Sequence, residues 1–118
     1  MIAGRIVQAH SKMTILPQVR KTQSLFERMK GLLGCKKISE GEGLLIDPCN
    51  SVHTFFMKMD IDVVFLNRED IIVKIKSNLK PRRMAMSWKA ATVLELGAGQ
   101  VARSGLKLGD HLGWEKAA

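Results

Sequence analysis

The sequence predicts a mainly β fold, a mostly antiparallel sandwich or barrel-like domain with one packed helix near residues 22–34. Three observations carry this. Short apolar runs separated by turn residues recur along most of the chain. One stretch alone sustains apolar residues at three- and four-residue steps. Glycine-rich breaks punctuate the second half. With 118 residues, 46% of them hydrophobic and 25% charged, a single domain over 1–118 is expected, large enough to bury a core unaided. A disordered or collagen-like chain is excluded. No apolar run approaches the ~20 residues of a spanning helix. The opening Met1-Ile2-Ala3-Gly4-Arg5 lacks a signal-peptide core, so a cytoplasmic location is expected, with an exported mature form as the alternative.

The alternating run at 5–9 reads as the opening strand, and 14–16, before Pro17, as a second. In 22–34, Leu25, Phe26, Met29, Leu32 and Leu33 share one helical face. Thr22 or Ser24 can cap its start and Gly34 its end. Gly41-Glu42-Gly43 turns the chain into a strand at 44–46, which stops at Asp47-Pro48. Residues 52–57 form the next strand, placing His53, Phe55 and Met57 on one face. The run 61–66 is apolar on both faces and therefore central. Asn67-Arg68-Glu69-Asp70 links it as a hairpin to 71–76, in which Ile71, Val73 and Ile75 share a face. A weaker strand at 84–88 and a clearer one at 92–96 follow. Gly97-Ala98-Gly99 breaks the pattern before a short helix at 100–104 and a last strand at 112–114.

The formal charge is +8 and unevenly spread. No acid precedes Glu27. None lies between Asp70 and Glu95 either, where Lys74, Lys76, Lys80, Arg82, Arg83 and Lys89 stand. Such a field attracts phosphates, acidic proteins or anionic lipid, or simply keeps the surface solvated. Aromatics are few, 5% with no tyrosine, which weighs against a nucleic-acid reader. Two cysteines, Cys35 and Cys49, are too few for a disulfide scaffold, and reduced thiols are expected.

Asp62 is the most informative residue. Alternation buries it with Val64 and Leu66, so its carboxylate needs a cation, such as Arg28, or backbone donors. His53 is either a hydrogen-bonded core histidine or a polar contact in a pocket wall. Cys49 and His53 are too few for a metal site, since His10 and His111 are remote in sequence. Cys49 and His53 with a carboxylate fill the roles of a small hydrolase on paper, without a nucleophile-elbow motif. Glu95 alternates with Leu94 and Leu96 and is expected to face solvent or a cationic partner. The seven methionines read as adaptable core filler.

Taken in order, Glu27-Arg28, Gly31-Leu32-Leu33, Gly43-Leu44-Leu45-Ile46, Phe56-Met57-Lys58, Ile61-Asp62-Val63-Val64-Phe65-Leu66, Val93-Leu94-Glu95-Leu96, Gly99 and Gly109-Asp110 make a pattern. With these residues the chain resembles a family of bacterial and archaeal proteins known as domain of unknown function 192 (DUF192). The resemblance covers roughly residues 20 to 112. It implies a compact β-rich fold with one helix and no established activity. His53-Thr54-Phe55-Phe56-Met57 resembles members found near pilus-assembly or secretion genes. The chain departs from the family pattern at Asp60, Arg82 and Phe56, where the family favours proline, an aromatic and tryptophan.

The expected function is that of a non-catalytic binding or accessory module. Its surface would gather Arg28, His53, Met57, Lys58, Asp62 and Glu95, flanked by the basic loop with Lys80, Arg82 and Arg83. It would take an acidic protein segment or a small anionic ligand, with no cofactor or metal. A small hydrolase using Cys49 or His53, and non-specific nucleic-acid binding through the basic loop, are the alternatives.

Overall fold

A computed structural model describes residues 1–30 and 38–118. Along the chain run β1 (Ile2–Gln8), β2 (Thr14–Lys21), α1 (Leu25–Lys30), β3 (Glu42–Ile46), β4 (Ser51–His53) and β5 (Ile61–Leu66). Then come β6 (Ile72–Leu79), β7 (Met84–Met86), β8 (Thr92–Gly97), α2 (Gln100–Ser104) and β9 (Leu112–Lys116). Seven strands make one open sheet in the order β6-β5-β8-β3-β2-β1-β9, and β4 pairs with β7 as a separate ribbon. Every pairing is antiparallel except β2 with β3. The fold is thus mainly β, as the strand and turn texture predicts.

The run 61–66 is central because it is apolar on both faces. All six residues of β5 are buried, between β6 and β8. Alternation sends Val64, Leu66, Leu94 and Leu96 to one cluster, joined by Ile6, Leu16 and Val101 of α2. Val63, Phe65 and Val93 point the other way, into a cluster closed by Val52 and Ala85 of the ribbon and by Met57. The ribbon therefore lies over one sheet face, with Val52 opposite Ala85 as its inward pair.

Four local expectations need correction. Helix α1 starts where capping predicts, with the Glu27 amide donating to Ser24 Oγ at 3.1 Å. Thr22 instead accepts from the Asp47 amide. Leu25, Phe26 and Met29 are 62%, 74% and 70% exposed rather than packed. Leu32, Leu33 and Gly34 lie outside the described residues. The second strand runs through Pro17, because Pro17 falls at a bulge between the Gly4–Val19 and Ile6–Leu16 pairs, where no ladder donor is required. In β6 a bulge sets Val73 and Lys74 together against Phe65, so Ile72 and Ile75 join one cluster and Val73 the other. Finally, 52–57 is not one strand. Thr54 ends the ribbon and Phe56, at φ 71°, reverses the chain.

Candidate partner-binding face

The ribbon is tied down by a buried hydroxyl. Thr54 is fully buried. Its Oγ1 donates to the Lys80 carbonyl at 2.6 Å and accepts from the Arg83 amide at 2.9 Å. Its own amide donates to the Arg83 carbonyl, and its carbonyl accepts from the amides of Arg82 and Met57. One threonine therefore fixes the loop carrying Lys80, Arg82 and Arg83 against the end of β4. At the other end the Ser87 amide donates to the Asn50 carbonyl, and Lys74 Nζ reaches across from β6 to the Met86 carbonyl at 2.7 Å.

Because Val52 and Ala85 face inward, their neighbours face out. Ser51 stands opposite Met86, and His53 opposite Met84. Met84 is 70% exposed and Met86 54%. Phe55, Phe56 and Trp88, just beyond the strands, are 41%, 86% and 81% exposed. The His53 and Phe55 rings lie 5.7 Å apart. Cations frame this stripe: Lys58, Arg82 and Arg83 at the Thr54 end, Lys74 and Lys89 at the other, with Lys89 Nζ 5.9 Å from the centre of the Trp88 ring. Between 48 and 59 and between 80 and 92 there is no acid. A large apolar surface left on a folded chain marks an interaction site far more often than scattered single residues do.

Of the residues predicted to form the site, the ribbon gathers His53, Lys58, Lys80, Arg82 and Arg83. Lys80 Nζ lies 3.5 Å from Asp60. Met57, Asp62 and Glu95 are buried instead, and Arg28 of α1 lies near enough to Cys49 for its charge to act on that thiol. Met57 is a core residue, because the turn at Phe56 sends it inward while Phe55 stays out. Asp62 does not meet Arg28. Its Oδ1 accepts from the Asn78 amide at 2.9 Å and its Oδ2 from the Val101 amide at 3.0 Å. Val101 is in the first turn of α2, where no side chain of the helix's own flank caps it. Asp62 is thus the cap of a helix that follows it by 39 positions.

Glu95 does not face solvent. It is 3% exposed, between Leu44 of β3 and Val63 of β5 in register, and its Oε1 has no hydrogen-bond partner among the described residues. Burial pushes its carboxyl up to about 7. Burial also raises the Cys49 thiol, whose proton is donated to the Ser51 carbonyl at 3.1 Å. The charge of Glu95 adds to that rise and Arg28 opposes it. A nucleophilic thiol needs the opposite environment. Cys49 is a free thiol, and Cys35 lies outside the described residues. Among the described residues no group of three or more His, Cys, Asp or Glu could hold a metal ion. His10 and His111, remote in sequence, do meet edge-to-face at 5.3 Å, with His111 lining a cavity of about 280 Å³.

The residues that sequence reasoning missed are Thr54, Met84, Met86 and Trp88. Methionine was expected inside, yet only a small alanine stands between Met84 and Met86. That alternation is the signal that Ala85 faces in and both methionines out.

An open mixed sheet with a two-stranded ribbon on one face and a short capped helix on the other defines the structural class. The chain belongs to the DUF192 family, described as Uncharacterized ACR, which it matches over residues 5–114. Its fold is similar to that of a protein of unknown function from Novosphingobium aromaticivorans, at 19% identity and a TM-score of 0.76, covering 95% of this chain and 84% of that one. It is also similar to a Sinorhizobium meliloti protein described as a candidate transcription regulator, at 25% identity and a TM-score of 0.80, covering 96% and 92%. No curated protein matches the chain. No helix among the described residues is long and apolar enough to cross a membrane.

Proposed function

We propose that this chain is a non-catalytic binding module that recognises an acidic protein segment through the outward face of the β4–β7 ribbon. One observation carries the reading: an exposed stripe of Phe55, Met84, Met86 and Trp88 bordered by cations and free of acids. Apolar surface supplies affinity there, while the cations select the sign of the partner and speed its approach. A small anionic ligand would use the cations and leave the stripe in water, so a segment with its own apolar side chains fits better. Exposed aromatics beside cations also suit single-stranded nucleic acid, and the description of the Sinorhizobium meliloti protein points the same way.

Binding of a fluorescent peptide of mixed aspartate and leucine, read by anisotropy, tests the proposal. The double variant Arg82→Glu, Arg83→Glu changes two exposed side chains and keeps the backbone bonds to Thr54. It is expected to weaken the peptide by about tenfold or more. An unchanged affinity, or an unlabelled oligothymidylate that binds where the peptide does not, would overturn the reading.

A further inference from the structure

We infer that the segment taken by the ribbon is an apolar run bracketed by acidic residues at both ends, rather than one in which acids and apolar residues alternate. The inference rests on the binding reading above and adds the order of charges in the partner.

Cations are absent from the middle of the stripe. The pairs Ser51–Met86 and His53–Met84 carry no lysine or arginine. Arg82 and Arg83 precede the first residue of β7 and Lys89 follows its last, while Lys74 reaches the terminal Met86 rung from β6. Thr54 pins Arg82 and Arg83 at one end, and the Lys74 ammonium sits on the Met86 carbonyl at the other. From Arg83 to Lys89 the chain can extend by at most about 20 Å, at ~3.3 Å per residue. A partner in strand conformation covers that distance with about six residues. An acid in the middle of such a run would be laid on methionine and lose water without gaining a cation. An acid at either end would meet Arg83 or Lys89. Methionine is unbranched and adapts its shape, so the identity of the apolar residues is loosely read and the positions of the acids strictly.

The test uses the full chain and three labelled dodecapeptides of identical composition, half aspartate and half a mixture of leucine and phenylalanine. In one, three acids stand at each end of the apolar run. In the second the two kinds alternate, and in the third the apolar residues are at the ends. The bracketed peptide is expected to bind at least about tenfold more tightly than either of the others, a difference set by the end charges. Met84→Leu should keep that preference and Lys89→Glu should reduce it. Equal affinity for all three peptides overturns the inference while leaving the binding reading intact. Failure of all three to bind overturns both. Capture on phosphatidylserine vesicles, with no peptide bound, overturns both in favour of a lipid surface.

Discussion

Glu95 carries a carboxyl whose acid form the fold prefers, and the consequence is a pH dependence with a definite sign. Its ordinary value is 4.5 and its folded value about 7. Below about 4.5 both folded and unfolded chains hold the proton, and the contribution is fully present. Between about 4.5 and 7 the unfolded chain gives up its proton first, so stability falls. Above 7 the loss is complete, at up to about 3 kcal/mol. Glu95→Gln should therefore melt higher than the parent at pH 8, match it near pH 4, and remove most of this slope in a thermal series. Asp62, unlike Glu95, has a backbone donor on each carboxylate oxygen. Asp62→Ala removes both acceptors and strands the buried amides of Asn78 and Val101, at a cost of roughly 3 kcal/mol or more in urea unfolding. Asp62→Asn, which keeps one carbonyl oxygen, should lose less. That a buried acid at 62 requires donors is legible from alternation alone. Which donors it finds depends on where α2 lands, and nothing near residue 62 encodes that.

At the scale of elements, β5 is readable because it is apolar on both faces. Strand β8 and helix α2 are readable because Gly97-Ala98-Gly99 separates a strand from a short helix, although sequence reasoning misses the burial of Glu95 in β8. The departures come from single residues that change the side-chain count. A bulge at Val73 shifts every later residue of β6 by one face, and a left-handed Phe56 cuts a six-residue alternation to three. A bulky residue at positive φ is costly, and at 86% exposure Phe56 recovers nothing from the core. Phe56→Gly is accordingly expected to stay within about 1 kcal/mol of the parent in stability, since relief of strain offsets the added freedom of the unfolded chain. It should also weaken the aspartate–leucine peptide severalfold. A variant that melts far lower and binds normally would show that Phe56 serves the fold and not the partner.

Across the whole molecule, the +8 charge attracts acidic partners from a distance, while the apolar stripe acts only at contact. The two contributions separate by salt. Raising ionic strength from about 0.05 to 0.5 M should slow association of the aspartate–leucine peptide by about tenfold and change its dissociation rate much less. Association that ignores salt would mean the flanking cations take no part. Composition revealed this charge excess but not its placement. Nor could the strand order be read: β3 joins β2 in parallel and β8 on its other side, a pairing that local patterns leave open. The scarcity of aromatics weighs against a nucleic-acid reader, yet three of the six, Phe55, Phe56 and Trp88, stand exposed next to the ribbon strands.

The pairing of the first strand with the last bears on how the chain is made. Strand β1 takes β9 along one side, from Gly4 opposite Lys116 to Gln8 opposite Leu112, and the Trp114 indole donates across it to the Val19 carbonyl. During synthesis β1 can pair with β2 almost at once, but its other edge waits until residues 112–116 have left the ribosome. For most of that interval an open edge is offered to any neighbouring nascent chain, the situation in which strands from different molecules join. The finished edge is safer: β9 ends in Glu115 and Lys116, and Glu115 is tied to Arg5 by a 2.8 Å ion pair. Strand β9, translated long after β1, is the one that closes the hazard, so chains that stop before residue 112 should aggregate far more readily than chains that include it.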